Sequence, residues 1–238
     1  MIIESACAPP FLKNGFVVSC ERTRQAIYID PGDEVQELIA YIERESLEVT
    51  GLLLTHAHVD HVSGVAAAKR ALGAPVWLHP DDRLMYAHAV EQGAMFGYEL
   101  EAPPPPDRWY ELPGPIGFGD YDVFVHHTPG HCPGNVCLQV GRRGTVGMDL
   151  FVGDTLFAGS IGRTDLPGGN YETLMTAITD VLLPFGDDAR VRPGHGPDTT
   201  IGRERNLHQT ITEGAQDQHV SESNRLVYEA RRRNARRL

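Results

Sequence analysis

The chain has 238 residues, 41% hydrophobic and 22% charged. These are the proportions of an ordinary soluble globular protein with room for one large domain, alone or with a short appendage. Its formal net charge of -11 argues against nucleic acid as the main partner, because phosphate recognition needs a basic surface. No apolar stretch reaches the roughly 18 residues of a membrane helix, and the N-terminus lacks the basic and apolar regions of a secretory signal. Cys7, Cys20, Cys132 and Cys137 match neither a zinc ribbon nor a small disulfide scaffold, so reduced thiols in a cytoplasmic protein are expected.

Strands are expected at 16–19 and 26–29, the second ending at the turn Asp30-Pro31-Gly32. Asp33 is placed to cap a helix running to about Arg44, with Val35, Leu38, Ile39 and Ile42 on one face. Residues 49–54 read as a buried strand, and the loop THAHVDH (55–61) follows it directly. A helix from about His61 to Leu72 should stop at Gly73, a C-terminal cap. A short strand follows at 75–78.

Residues 81–110 are less regular: a helix through Met85 and Val90, then Gly93, Gly97 and the prolines 103–106, which favour an extended stiff segment. That segment reads equally as a pocket rim or a surface connection. Short strands return at 123–127, 136–140 and 145–152, with a hairpin turn at 141–144. Asn170 caps a helix to about Leu183 whose inner face is Leu174, Ile178, Val181 and Leu182, and Pro184 ends it. Val191 closes a last strand before Pro193-Gly194-His195. Over 225–238, six arginines face one glutamate; this basic tail reads as a solvated helix end or as a docking element.

THAHVDH is the most informative segment. Three imidazoles and one carboxylate occupy six positions behind the apolar run 52–54. Such groups at the mouth of a buried strand are costly to desolvate unless something binds them, and they are the ligands that suit zinc, iron and manganese. Three more polar residues sit in glycine-bounded turns at strand ends: His131 in HTPGHCPGN, Asp154 in VGDTLF and His195 in RPGHGPDTT. Glycine permits the tight turns that let a side chain project inward. His127 reads as an outer partner or core histidine, His79 as structural, and His88, His208 and His219 as surface residues. Cys132 reads as a buried free thiol.

In this order the motifs HxHxDH (56–61), His131, Asp154 and His195 resemble the metallo-β-lactamase fold superfamily, over about residues 2–210. The resemblance implies an α+β fold, an αββα sandwich of two mixed sheets packed face to face with helices outside and metals at one sheet edge. It implies a domain over 1–212, with 213–238 a basic helical tail rather than a second domain. His56, His58 and His131 would bind one metal, Asp60, His61 and His195 a second, with Asp154 bridging. The implied cofactors are two divalent cations, zinc foremost, with iron and manganese accepted by the same ligands. Asp60 and Asp154 are the expected catalytic residues, and a water between two cations, acidified by them, is the expected nucleophile. No GxSxG elbow supplies another.

Segments 153–170 (GDTLFAGSIGRTDLPGGN) and 193–206 (PGHGPDTTIGRERN) are similar to compact bacterial glyoxalase II enzymes, the hydroxyacylglutathione hydrolases. This implies a thioesterase acting on a small-molecule thioester such as S-D-lactoylglutathione, with neither nucleic acid nor membrane as partner and with self-association left open. Arg163 lies where those enzymes hold the glutathione moiety; its alternative is an ion pair with Asp165. The chain departs from the longer glyoxalases in having Asp165 for their tyrosine, Gly196-Pro197 for an acidic-aromatic pair, and no room for their C-terminal helical domain. The rival readings are a mononuclear iron persulfide dioxygenase, whose family shares the GRTD segment (162–165), a lactonase or other hydrolase of the fold, and a non-catalytic metal protein.

Overall fold

The computed structural model describes residues 1–110 and 114–206. The expected tail over 213–238, the domain boundary at 212, and His208 and His219 lie outside the described residues.

Residues 26–29 and 52–54 are apolar at every position, so their strands need cover on both faces. The fold supplies it by alternation. Phe16, Val18, Ile27, Ile29 and Leu53 point into one buried layer, while Val17, Ala26, Tyr28, Leu52 and Leu54 point into another. The first layer lies between two six-stranded sheets and the second lies between a sheet and its helices, which makes the αββα sandwich.

The first sheet has the order β1 (Ile2–Ala8), β2 (Lys13–Ser19), β3 (Gln25–Ile29), β4 (Glu48–Leu53), β5 (Val76–Leu78), β6 (Arg108–Trp109). Its pairs are antiparallel up to β3 and parallel beyond it. The second sheet, in chain order, holds β7 (Ile116–Phe118), β8 (Tyr121–His127), β9 (Val136–Arg142), β10 (Asp149–Gly153), β13 (Arg190–Pro193) and β14 (Thr199–Thr200). Its spatial order is β14-β13-β10-β9-β8-β7, with only β10 and β13 parallel. A small ribbon, β11 (Leu156–Phe157) with β12 (Ser160–Ile161), follows β10.

Helix α1 (Val35–Arg44) buries Val35, Leu38, Ile39 and Ile42, the expected face, against the outer side of the first sheet. Asp33 does not cap it. The N-cap is Glu34, whose side chain makes no capping bond because Lys13 Nζ, the Tyr28 hydroxyl and the Gly32 N–H all donate to its Oε1. Asp33 instead accepts from Ser63 and Tyr98.

The helix expected from His61 to Leu72 is two, α2 (Val59–Val62) and α3 (Val65–Leu72). The break falls at Gly64, where a Cβ would lie 2.7 Å from that of Val35 and the N–H donates to Pro31 O at 3.0 Å. Gly73 is the left-handed cap, with φ 67°. The 81–110 segment forms α4 (Arg83–Ala87) and α5 (Ala89–Met95), then runs without regular structure past the prolines. Asn170 Oδ1 accepts from Thr173 N–H at 2.8 Å and caps α6 (Tyr171–Thr176), which widens into a π-helical turn over Ala177–Leu182. That turn leaves Leu174, Ile178 and Leu182 in the third apolar cluster with Leu150 and Val152, while Val181 is only half-buried. Among the described residues no helix is long and apolar enough to cross a membrane.

β8, β10 and β13 run the same way and, with β4 from the other sheet, end at one edge. Three backbone bonds stitch that edge: Val136 N–H to Thr55 O, Asn14 N–H to Gly194 O and Gly194 N–H to Gly153 O, at 2.9, 2.7 and 2.9 Å.

Candidate metal centre

All seven residues expected as ligands meet at this edge. THAHVDH leaves the end of β4 and enters α2 at His58; His131 stands on the β8–β9 loop, Asp154 follows β10 and His195 follows β13. Ligand atoms of His56, His58 and His131 lie within 4.8 Å of one another, as do those of Asp60, His61 and His195. Asp154 stands between the groups: its Oδ2 is 3.6 Å from His131 Nε2 and 3.7 Å from His195 Nε2, and its Oδ1 is 3.3 Å from His61 Nε2.

The outer hydrogen bonds of the rings decide which nitrogens face inward. His131 Nδ1 donates to Arg163 O at 2.8 Å, and His61 Nδ1 donates to Asp30 Oδ2 at 2.9 Å. The Thr55 hydroxyl gives its proton to Asp30 Oδ2 and so accepts from His56 Nδ1, at 3.1 Å. All three rings therefore turn Nε2 into the cluster. His58 is reversed, with Nδ1 only 2.7 Å from His131 Nε2. This arrangement, imidazoles anchored from behind with nitrogens converging, is how proteins prepare histidines for a metal.

The interior carries unresolved electrostatic tension. His56 Nε2, His61 Nε2 and Asp154 Oδ1 are buried and make no hydrogen bond; each such group costs about 1–3 kcal/mol. Burial, reinforced by His61 and His58, holds the His56 imidazole far below its usual pKa. Burial and His131 take His58 down to about 3. In the other group burial is overridden by charge. Asp60, Asp30 and Asp154 raise His61 to about 10, and His61 and His195 lower Asp60 to about 2. Asp154 is likewise held below the carboxylate range by His61 and His195. The carboxylates likewise raise the pKa of His195 against its burial, and a divalent cation supplies the compensation that these imidazoles otherwise give. The donor set fits metal.

Glycines leave room for this packing. A Cβ on Gly194 would overlap Asp154 Oδ1 and approach His61 Cε1 to 2.6 Å. Gly194→Ala is therefore expected to displace Asp154 and His61, lowering metal content by at least half, as read by elemental analysis, with the circular dichroism of the fold retained.

Two buried aspartates escaped the sequence reading. Asp30, at the end of β3, accepts from Thr55 N–H and Oγ1 at 2.6 Å each and from His61 Nδ1. Asp82, fully buried, accepts from Ala57 N–H at 2.9 Å, Gly134 N–H at 2.6 Å and the Cys132 thiol at 3.3 Å, so one carboxylate braces both ligand loops. Their signal was position: Asp30 follows β3 directly and Asp82 comes four residues after β5. Burial raises the pKa of the Asp82 carboxyl against the pull of these donors.

The remaining expectations divide. Cys132 is a buried free thiol, pushed well up by burial and Asp82. His127 has other partners: its Nε2 donates to Pro133 O at 2.8 Å and its ring stacks on His79. The Arg163 guanidinium grips Asp165 with Nε to Oδ1 at 2.7 Å and Nη2 to Oδ2 at 3.0 Å. The pair sits beside the site, because the Arg163 carbonyl anchors His131.

An αββα sandwich with an imidazole–carboxylate cage at one sheet edge defines a class, the metallo-hydrolases built on two mixed sheets. The chain belongs to the metallo-beta-lactamase superfamily, whose family model matches residues 9–195. It is 39% identical over 184 residues to the hydroxyacylglutathione hydrolase GloC of Haemophilus influenzae, covering 76% of this chain and 85% of that one. Among solved structures it resembles the B3 metallo-beta-lactamase BLEG-1, with a TM-score of 0.78, 34% identity and coverage of 86% and 97%. It also resembles TTHA1623 in a di-iron-bound form, with a TM-score of 0.76, 38% identity and coverage of 86% and 98%.

Proposed function

We propose that this protein is a dinuclear, metal-dependent thioesterase that hydrolyses S-D-lactoylglutathione or a related hydroxyacyl-thiol. The observation that carries hydrolysis is the placement of Asp154 Oδ2 between two ligand groups, 3.6 Å from His131 and 3.7 Å from His195. The similarity to a hydroxyacylglutathione hydrolase supports the choice of substrate.

His56, His58 and His131 would hold one cation and Asp60, His61 and His195 the other, with Asp154 shared. Bound there, two divalent cations supply Lewis acidity toward a thioester carbonyl and acidify water at neutral pH. The protein's own part is orientation. Asp30 and the Arg163 carbonyl hold the Nδ1 protons of His61 and His131, so Nε2 of each ring faces the cluster, and His61 would give up its Nε2 proton in exchange for a cation. Asp60 Oδ2, 3.0 Å from His195 Nε2, holds the half-exposed His195 at the open side of the cluster. No side chain is needed as nucleophile: the Cys132 thiol faces Asp82 and is kept protonated by burial.

Arg163 is the candidate for holding a glutathione carboxylate, and Asp165 competes for the same guanidinium. Asp165→Asn removes the competitor and should lower KM for S-D-lactoylglutathione by about three- to tenfold, leaving KM for an uncharged thioester of the same acyl group unchanged. Equal KM changes for both substrates would remove Arg163 from substrate binding. The activity itself is tested by following loss of the thioester of S-D-lactoylglutathione in the ultraviolet. Turnover on the order of 1–10³ s⁻¹ is expected, and no turnover alongside hydrolysis of lactones would move the assignment to a lactonase.

A further inference from the structure

A second cluster of metal-binding side chains lies apart from the seven. One ring nitrogen each of His79 and His127 and a carboxylate oxygen of Asp81 come within 4.8 Å of one another. His79 directly follows β5 and His127 is the last residue of β8, so the cluster joins the two sheets. The two rings stack with centroids 4.2 Å apart and planes inclined by 14°. Asp81 Oδ2 is 3.8 Å from His79 Nδ1, a nitrogen whose one hydrogen bond among the described residues is the long 3.3 Å contact from Asp81 N–H.

The anchoring of His127 favours a ligand role. Its Nε2 donates to the Pro133 carbonyl, which leaves the Nδ1 lone pair available. An imidazole tied to a backbone carbonyl on one side and free on the other is the usual preparation of a metal-binding histidine. Exposure is graded as well: His79 is buried, His127 half-buried and Asp81 exposed, so a cation has both an anchor and an entry path.

We propose that His79, Asp81 and His127 form a third cation site, selective for late first-row divalent metals such as zinc, nickel or copper. Two imidazoles and one carboxylate suit these borderline ions, whereas magnesium and calcium prefer all-oxygen shells. With three protein ligands, the site leaves at least one position for water. It shares no residue with the Asp154 centre. Its neighbours link it to that centre nonetheless: Asp82 follows Asp81, and Pro133 lies between Cys132 and Gly134, both of which donate to Asp82. A cation here clips together the turn carrying Asp82 and the loop carrying His131.

The test is a difference in stoichiometry, so it does not depend on how many metals the Asp154 centre holds. The purified full-length protein is equilibrated with micromolar free zinc by dialysis and its zinc counted, alongside His127→Ala and Asp81→Asn. Wild type should bind one zinc per chain more than His127→Ala. Asp81→Asn, which keeps the shape of the exposed side chain, should weaken that extra zinc by about tenfold or more. Copper(II), one equivalent added to protein whose Asp154 centre is already filled with zinc, should give a nitrogen-coordinated paramagnetic signal in wild type that His127→Ala lacks. Equal zinc counts in wild type and His127→Ala, with no difference in the copper signal, would overturn the site.

Discussion

Asp154→Ala is expected to reduce kcat for thioester hydrolysis by at least about 10³-fold, equivalent to roughly 4 kcal/mol of barrier, and to leave the protein short of metal. Asp154 reaches both ligand groups, through Oδ2 to His131 and His195 and through Oδ1 to His61. Its loss removes a negative charge from a cluster of five imidazoles and two carboxylates, so cations bound there meet less compensation. Asp154→Asn keeps the volume and one oxygen but not the charge, and should lie between alanine and wild type in metal content. Kinetics on S-D-lactoylglutathione with elemental analysis of the same samples checks this. Full metal content with kcat within tenfold of wild type would remove Asp154 from the bridging role.

The second large effect is on stability. Asp82→Ala should destabilise the protein by about 3–5 kcal/mol, because it strands the buried N–H groups of Ala57 and Gly134 and opens a cavity. For a protein of this size that is a fall in Tm of roughly 10 °C. Asp82→Asn retains an accepting oxygen but turns an NH₂ toward one of the donors, so about half the loss is expected. Because Ala57 lies between the candidate ligands His56 and His58, and Gly134 on the loop of His131, metal affinity should fall in parallel with Tm. Calorimetry of the metal-loaded and chelator-treated proteins separates the two. Unchanged Tm in Asp82→Ala would show that the loops are held by other contacts.

What the sequence disclosed follows from how local the information is. HxHxDH packs four groups able to bind metal into six residues, and His131, Asp154 and His195 each sit in a glycine-bounded turn, so chemistry and spacing pointed to the seven residues that the fold brings together. The apolar runs at 26–29 and 52–54 announced strands covered on both faces. Asp30 and Asp82 stayed hidden because their partners are remote in the chain: Asp30 serves Thr55 and His61, and Asp82 serves Ala57, Cys132 and Gly134. The break at Gly64 had the same origin, since only the turn at Pro31 and Gly32 explains why a helix cannot continue there. The edge strand β1 went unrecognised because its partly exposed residues do not alternate cleanly. At Arg163 local sequence offered two readings, a substrate carboxylate or Asp165, and the structure holds the Asp165 pair.

The central claim, two cations sharing Asp154 and driving hydrolysis, is tested most directly by counting metals in His56→Ala, His58→Ala and Asp60→Ala alongside hydrolysis of S-D-lactoylglutathione. The expected result is about two metals per chain at the Asp154 centre, counted in the His127→Ala background, with each substitution losing metal and at least tenfold in kcat/KM. One iron per chain, oxygen uptake on glutathione persulfide, and activity that survives His58→Ala and Asp60→Ala but not His56→Ala would contradict it.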